Sequence, residues 1–368
     1  MDAEVSSECA DTLACLHVIT PVAPDLGRRV TDELLSYLEL ERPAIEPEAQ
    51  PLLDELESLV TAGGKRLRPR FCYWGHLAAG GNDDIEIVRA GAALELLHTM
   101  AMIHDDVMDR SARRRSKAST FQALTELSAG VEHRGDPQRF GASAAILTGM
   151  LGFVLADRLF WTAGFGHDET RRAAHRYDAM RARAIAGQYL DILASHRGIA
   201  DEVTATRIAS LKSGMYSVAD PLAIGALFAS DDRRVVGALD AYGRPLGEAF
   251  QIRDDVLGTF GDPETTGKDR DGDIREGKQT VLLAKARAKA TVEQHGILER
   301  HVGDPELSTV DADRVRDVIV ATGALAETNR LIAELADRAI AALDRDVIDT
   351  TAMTALRDLA IDATKRHA

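Results

Sequence analysis

Apolar residues recur at three- and four-residue intervals along most of this chain, the period of a helix face. The pattern is clearest between positions 84 and 109, where Ile87, Ala90, Leu94, Leu97, Ala101 and His104 hold that spacing. The same periodicity predicts helices over 25–40, 52–61, 65–79, 140–162, 169–195, 202–215, 217–229, 232–259, 279–300, 309–322, 324–345 and 350–366, with a short one after 117. Gly63-Gly64 and Gly80-Gly81 stand where two of these helices end. No stretch alternates convincingly with a period of two, so no strand is predicted. Residues 1–24 lack sustained periodicity, contain Pro21 and Pro24, and read as a loose tail. Residues 110–117 read as a basic loop and 130–139 as a connection. The one long irregular segment is 260–278, rich in Gly, Asp and Lys; a loop of that length inside a compact domain is usually functional. The expected fold class is all-α: a large bundle of long helices around a central cavity, with residues 25–368 forming one undivided domain.

Composition agrees with helices. Of 368 residues 45% are hydrophobic but only 5% aromatic, an Ala/Leu-rich bias that favours helix over sheet. A formal charge of −15 argues against nucleic acid as the main partner. An anionic substrate would then need local basic groups or metal ions. Cys9, Cys15 and Cys72 form no CxxC pair, as expected of a reducing compartment. No apolar stretch approaches a membrane span without polar interruption, and no basic flank precedes the short N-terminal apolar run. The expected location is the cytoplasm.

Charge is concentrated where the longest apolar helix ends. His104-Asp105-Asp106-Val107-Met108-Asp109 is followed by Arg113-Arg114-Arg115. Positions 105 and 109 share a helix face about 6 Å apart along the axis, at ~1.5 Å per residue. Carboxylates so crowded must be compensated; Mg²⁺ does this with one or two carboxylates, waters and substrate phosphates. A solvated acidic turn is the ordinary fate of such a run. A second pair changes the balance: Asp254-Asp255, within Phe250-Gln251-Ile252-Arg253-Asp254-Asp255, closes another long helix and opens into the 260–278 loop with its Gly267-Lys268 and Gly277-Lys278. Gly63-Gly64-Lys65-Arg66-Leu67-Arg68-Pro69 brings backbone N–H groups, a helix start and three cations together, a good anion site, although it lacks the spacing and the strand of a P-loop. Arginine's planar fork suits phosphate oxygens, so acidic and basic clusters together imply metal plus polyphosphate.

In order along the chain, GGKRLRP, DDxxDxxxxRR, Gly187-Gln188-Tyr189-Leu190-Asp191, Lys212-Ser213, FQxRDD and GK…D…GK resemble the trans-isoprenyl diphosphate synthases (polyprenyl synthetases), geranylgeranyl diphosphate synthases among them. The resemblance covers roughly residues 30–290. It implies a Mg²⁺-dependent, head-to-tail condensation of isopentenyl diphosphate with an allylic diphosphate by a homodimer holding three ions per site. It also implies roles: Asp105, Asp106, Asp109 and Asp254 as metal ligands with Asp255 in support. Arg114, Lys212 and Lys268 would hold the allylic diphosphate, with Ser213, Gln188 and Gln251 beside them. Lys65, Arg68, His98 and Arg115 would form the isopentenyl diphosphate pocket. By itself, His98 on an apolar helix reads as a satisfied, partly buried residue. Three departures stand out: Gly258 in place of the second motif's third carboxylate, Ser116 after the arginine pair, and Gly149-Met150 where an aspartate is customary.

A chain growing from Asp105 would run back along its helix past Ala101 and Met100, which leave room where short-product members carry Phe or Tyr. The first motif has no two-residue insertion of the bacterial farnesyl type. A C20 product is therefore expected ahead of C15 or longer ones. A class I terpene cyclase would show (N/D)Dxx(S/T)xxxE where this chain has FQIRDDVLG. An HD-type phosphohydrolase is suggested by His98 and His104-Asp105 but leaves GGKRLRP and the second Asp pair unexplained. A non-catalytic subunit of a heteromeric synthase would be expected to lack the aspartates.

Overall fold

The computed structural model describes residues 25–114, 117–130, 134–198, 201–262, 269–343 and 346–364. The 1–24 tail, Arg115, Ser116 and Lys268 lie outside the described residues. The helices are α1 (Leu26–Glu41), α2 (Gln50–Thr61), α3 (Leu67–Ala78), α4 (Ile85–Met108), α5 (Thr120–Ala129), α6 (Pro137–Trp161), α7 (His167–Arg197), α8 (Glu202–Ala209), α9 (Asp220–Ala229), α10 (Arg233–Phe260), α11 (Gly272–Arg275), α12 (Val281–Lys289), α13 (Val292–His301), α14 (Thr309–Ala321), α15 (Ala324–Ala341) and α16 (Thr350–Thr364).

The all-α expectation holds, and α4 shows why. Its apolar positions run almost all the way round, so it is buried on most faces, from Ile87 to Ile103, against α1, α3 and α6. One large buried core joins α1–α4, α6, α7, α9 and α16 to the first half of α10, through Leu239, Leu246 and Phe250. A second core takes the other half of α10, through Ile252 and Val256, with α12–α15. Thus α10 is a beam common to both, and Asp254-Asp255 sit where it passes into the second core. The two aspartate-bearing helices α4 and α10 hardly pack on each other; α9 and the segment preceding it intervene.

Three expectations need correction. Positions 202–229 are not two helices broken near 216: α8 passes into α9 through a π-helical segment, Ser210–Ala219. The predicted 279–300 helix is two, because Ala290 is extended and Thr291 starts α13 with a capping box in which Thr291 Oγ1 accepts from the Gln294 N–H and Gln294 Oε1 from the Thr291 N–H. The basic loop contains an antiparallel ribbon, β1 (Arg113–Arg114) with β2 (Lys117–Ala118), too short for alternation to reveal. Among the described residues one helix, α6, is long and apolar enough to cross a membrane by length and composition, with less than half of its apolar stretch buried, against α4, α5 and α2.

Candidate active site

The end of α4 is a cluster of opposed charges. Asp106 is 1% exposed, and Arg114, carried by β1, donates to its Oδ1 from Nε at 2.8 Å and again from Nη2. Burial pushes the Asp106 carboxyl up even against that guanidinium. Asp105 Oδ1 accepts from Gln188 of α7 at 3.3 Å and lies 3.6 Å from Lys212 Nζ; its other oxygen is 3.7 Å from Arg114. Lys212 also bonds Asp191 at 2.6 Å. Burial works against the lysine's charge, but Asp105 and Asp191 together raise it above its ordinary value.

Lys278 joins the two aspartate sets. Its Nζ lies 3.3 Å from Asp109 at the end of α4, 3.0 Å from Asp273 of α11 and 2.8 Å from Glu276. Asp255 on α10 accepts from Gln251 at 2.7 Å, and burial pushes its carboxyl pKa up to about 8, with Asp273, Asp254 and Asp191 adding to the effect. Burial likewise raises Asp109 in spite of Lys278. Among the described residues, Asp105, Asp106, Asp109, Asp191, Asp254, Asp255, Asp273 and Glu276 are thus set against Arg114, Lys212 and Lys278.

The π-helical segment orients Lys212. A side chain on Gly187 of α7 would lie 2.3 Å from the Lys212 backbone nitrogen, so only glycine there lets the two backbones meet. On the far side, Gly214 meets Gly247 of α10 equally closely: a side chain on Gly247 would lie 2.1 Å from Gly214 O. The next residue, Ser213, faces another partner: its Oγ is 3.4 Å from Ser217 Oγ, which accepts from Arg68 at 2.6 Å.

Arg68 and His98 belong to this second, basic pocket. The Arg68 guanidinium lies 4.4 Å from the centroid of the Tyr216 ring, and the His98 ring 6.3 Å from it. Close crossing of α3 and α9 makes this possible: a side chain on Gly225 would meet Cys72 O at 1.8 Å, and one on Gly75 would meet Leu222 O at 2.1 Å. Between the two candidate ligands Lys65 and Arg68, the intervening Arg66 is structural. It adopts a left-handed φ of 49°, is 5% exposed, and pairs with buried Glu95 at 2.6 Å. Lys65 is exposed at the mouth of α3.

The departures acquire physical meaning here. A Cβ on Gly258 would stand 1.8 Å from Asp273 Oδ2, so the Asp273 carboxylate occupies the space of the missing side chain. A Cβ on Gly149 would stand 2.2 Å from the His104 ring, whose Nε2 lies 3.0 Å from Ile146 O of α6. Met150 is about half exposed on the outer face of α6. His104 is thereby turned away from His98, and the two do not form the histidine pair of a phosphohydrolase. Met100 faces α6, its Cβ 3.5 Å from where a Gly152 side chain would begin.

The donors suit a hard divalent cation. They are all carboxylates, and Asp106 Oδ2 is buried with no hydrogen-bond partner among the described residues. Among those residues no three His, Cys, Asp or Glu groups converge into a cage.

A sequence model described as polyprenyl synthetase matches residues 49–319. The chain belongs to the polyprenyl synthetase family. As such it is a trans-prenyl diphosphate synthase, hence a prenyltransferase. This synthetase is 34% identical, with a TM-score of 0.90 over 93% of its length and 99% of the other chain, to a Corynebacterium glutamicum geranylgeranyl pyrophosphate synthase solved with isoprenyl diphosphate and magnesium. It is 32% identical to the geranylfarnesyl diphosphate synthase of Aeropyrum pernix, over 73% of this chain and 79% of that one. It is 31% identical to the geranylgeranyl diphosphate synthase of Saccharolobus solfataricus, over 71% and 74% respectively. These relatives make products of different length.

The synthetase's sequence left several contributors without a role. Asp191 and Lys278 stood within the quoted motifs, but their partners are far apart in the chain. Asp273 stood inside the 260–278 loop without being singled out, and Tyr216 and Ser217 carried no local signal at all.

Proposed function

We propose that the chain is a geranylgeranyl diphosphate synthase, joining an allylic diphosphate head-to-tail to isopentenyl diphosphate to give a C20 product. The observation that carries this is the pairing of an acidic cleft with a separate basic pocket through one short path. Lys212 and Ser213, neighbours in the chain, face the first and the second respectively. Asp105, Asp106 and Asp109, with Asp254 and Asp255 opposite, would hold Mg²⁺, which supplies electrophilic assistance to the departing diphosphate. Arg114 and Lys212 bind the same diphosphate and neutralise the charge that grows as its C–O bond breaks. Arg68, Lys65 and His98 anchor isopentenyl diphosphate so that its double bond reaches the allylic cation. A new carbon–carbon bond forms, and a proton passes from the adduct to the released diphosphate. Water would quench the cation, so the apolar walls of α4 also protect it.

Met100 and Ala101, one turn before Asp105, set the floor for the growing chain. Mass spectrometry of products from isopentenyl diphosphate and each of the C5, C10 and C15 primers, with and without Mg²⁺, tests the reading. C20 diphosphate is the expected product of the native enzyme, a shorter one of Met100→Tyr and a longer one of Met100→Ala. A hydrocarbon made from geranylgeranyl diphosphate alone would point to a cyclase instead, and unchanged length in both variants would remove the floor.

We also propose that the enzyme works as a homodimer. Phe140, Leu147, Met150, Val154 and Trp161 form an apolar line along α6, each between 47% and 59% exposed. Such a line is suited to pairing with its own copy. Light scattering is expected to give twice the 39.8 kDa chain mass; a monomer at micromolar concentration would refute it.

A further inference from the structure

Arg316 lies on α14, outside every motif described above, yet it is 4% exposed and spends its donors on the edge of the acidic cleft. Its Nε donates to Thr259 O at 2.7 Å and its Nη2 to Arg270 O at 2.8 Å. The same Nη2 pairs with the Asp271 carboxylate, itself 6% exposed, and Nη1 donates to Asp313 at 2.8 Å. Thr259 belongs to the last turn of α10, whose final carbonyls have no partner within the helix. A cation is well placed there against the helix dipole. Arg270 and Asp271 lie at the far end of the connection that leaves α10. One planar guanidinium thus holds both ends of that connection together.

Both ends lead directly to cleft residues. Thr259 Oγ1 donates to Asp255 O at 3.2 Å, within the turn that carries Asp254 and Asp255. Asp271 O accepts from Arg275 N at 2.9 Å inside the single turn bearing Asp273, and Lys278 N closes that turn onto Asp273 O at 3.0 Å. We propose that Arg316 is a positioning residue that sets Asp254 and Asp255 at a fixed distance from Asp273 and Lys278, and so shapes the diphosphate side of the site. The inference rests on the reading of Asp254 and Asp255 given under Proposed function. The isopentenyl pocket, built on α3, α4 and the π-helical segment, owes nothing to Arg316.

That asymmetry gives the test. In Arg316→Met the KM for geranyl diphosphate is expected to rise at least tenfold and the calorimetric affinity for inorganic diphosphate with Mg²⁺ to fall by a similar factor. The KM for isopentenyl diphosphate should stay within twofold. Guanidinium ion at millimolar concentration should restore part of the loss in Arg316→Ala. Asp313→Asn, which removes only the outermost partner, should match the native enzyme. Equal rises in both KM values, or a fall in Tm with both unchanged, would overturn the proposal. Should Arg316→Met fail to fold, Arg316→Lys decides by the same comparison: a split of threefold or more supports it, and equal factors refute it. A native enzyme that binds neither diphosphate would instead refute the functional reading itself.

Discussion

Replacing Asp105 by alanine is expected to lower kcat about a thousandfold, a loss of ~4 kcal/mol in transition-state stabilisation. Asp105 is the point on which three other groups converge: Gln188, Lys212 and Arg114 all approach it within 3.7 Å. The fold should survive. Lys212 keeps Asp191 and Arg114 keeps Asp106, so no buried cation is stranded. Its side chain is also 27% exposed, and little apolar packing is lost. A product assay paired with a circular-dichroism melt checks both halves. Condensation surviving in a folded variant would remove the acidic cleft from the mechanism.

Gly258→Asp restores the carboxylate usual in the family and is nonetheless expected to reduce activity. The new side chain would be built 1.8 Å from Asp273 Oδ2, and Asp273 cannot yield freely because Lys278 holds it at 3.0 Å. Either Asp273 leaves Lys278, or two carboxylates share one space beside Asp255, already pushed up to about 8 by burial. A fall in kcat of roughly tenfold or more, ~1.4 kcal/mol, is expected. Adding Asp273→Gly should recover part of it by clearing the space. An unaided gain in the single variant would show that Asp273 does not fill the place of the missing carboxylate.

Most of the helices were legible because their apolar periodicity is long and their stops are marked by glycine or proline. The failures share a cause. The π-helical segment keeps the composition and approximate spacing of an α-helix, so periodicity alone could not separate them. The Arg113–Arg114 ribbon is two residues wide, shorter than any alternation can resolve. At the site, Asp105, Asp106, Asp109 and Arg114 could be grouped because they are close in the chain. The grouping of Asp109 with Lys278, 169 positions later, is made only by the fold. Of the three cations in Lys65-Arg66-Leu67-Arg68, the family resemblance put Lys65 and Arg68 at the ligand. The structure gives the remaining one, Arg66, its counter-charge in Glu95. Arg316 was not foreseen, since a single arginine in an amphipathic helix has no local mark of burial.

The π-helical turn between Ser210 and Ala219 also fixes a rotation. It holds one residue beyond what an α-helical turn needs, since its bonds run from each residue to the fifth. Winding the same ten residues as an ordinary α-helix would turn the chain further per residue and so rotate the α8 side relative to α9. Ser217 would keep its hold on Arg68 while Lys212 swung off Asp105 and Asp191. The alignment of the two substrates is therefore written in the winding of this segment as much as in its side chains.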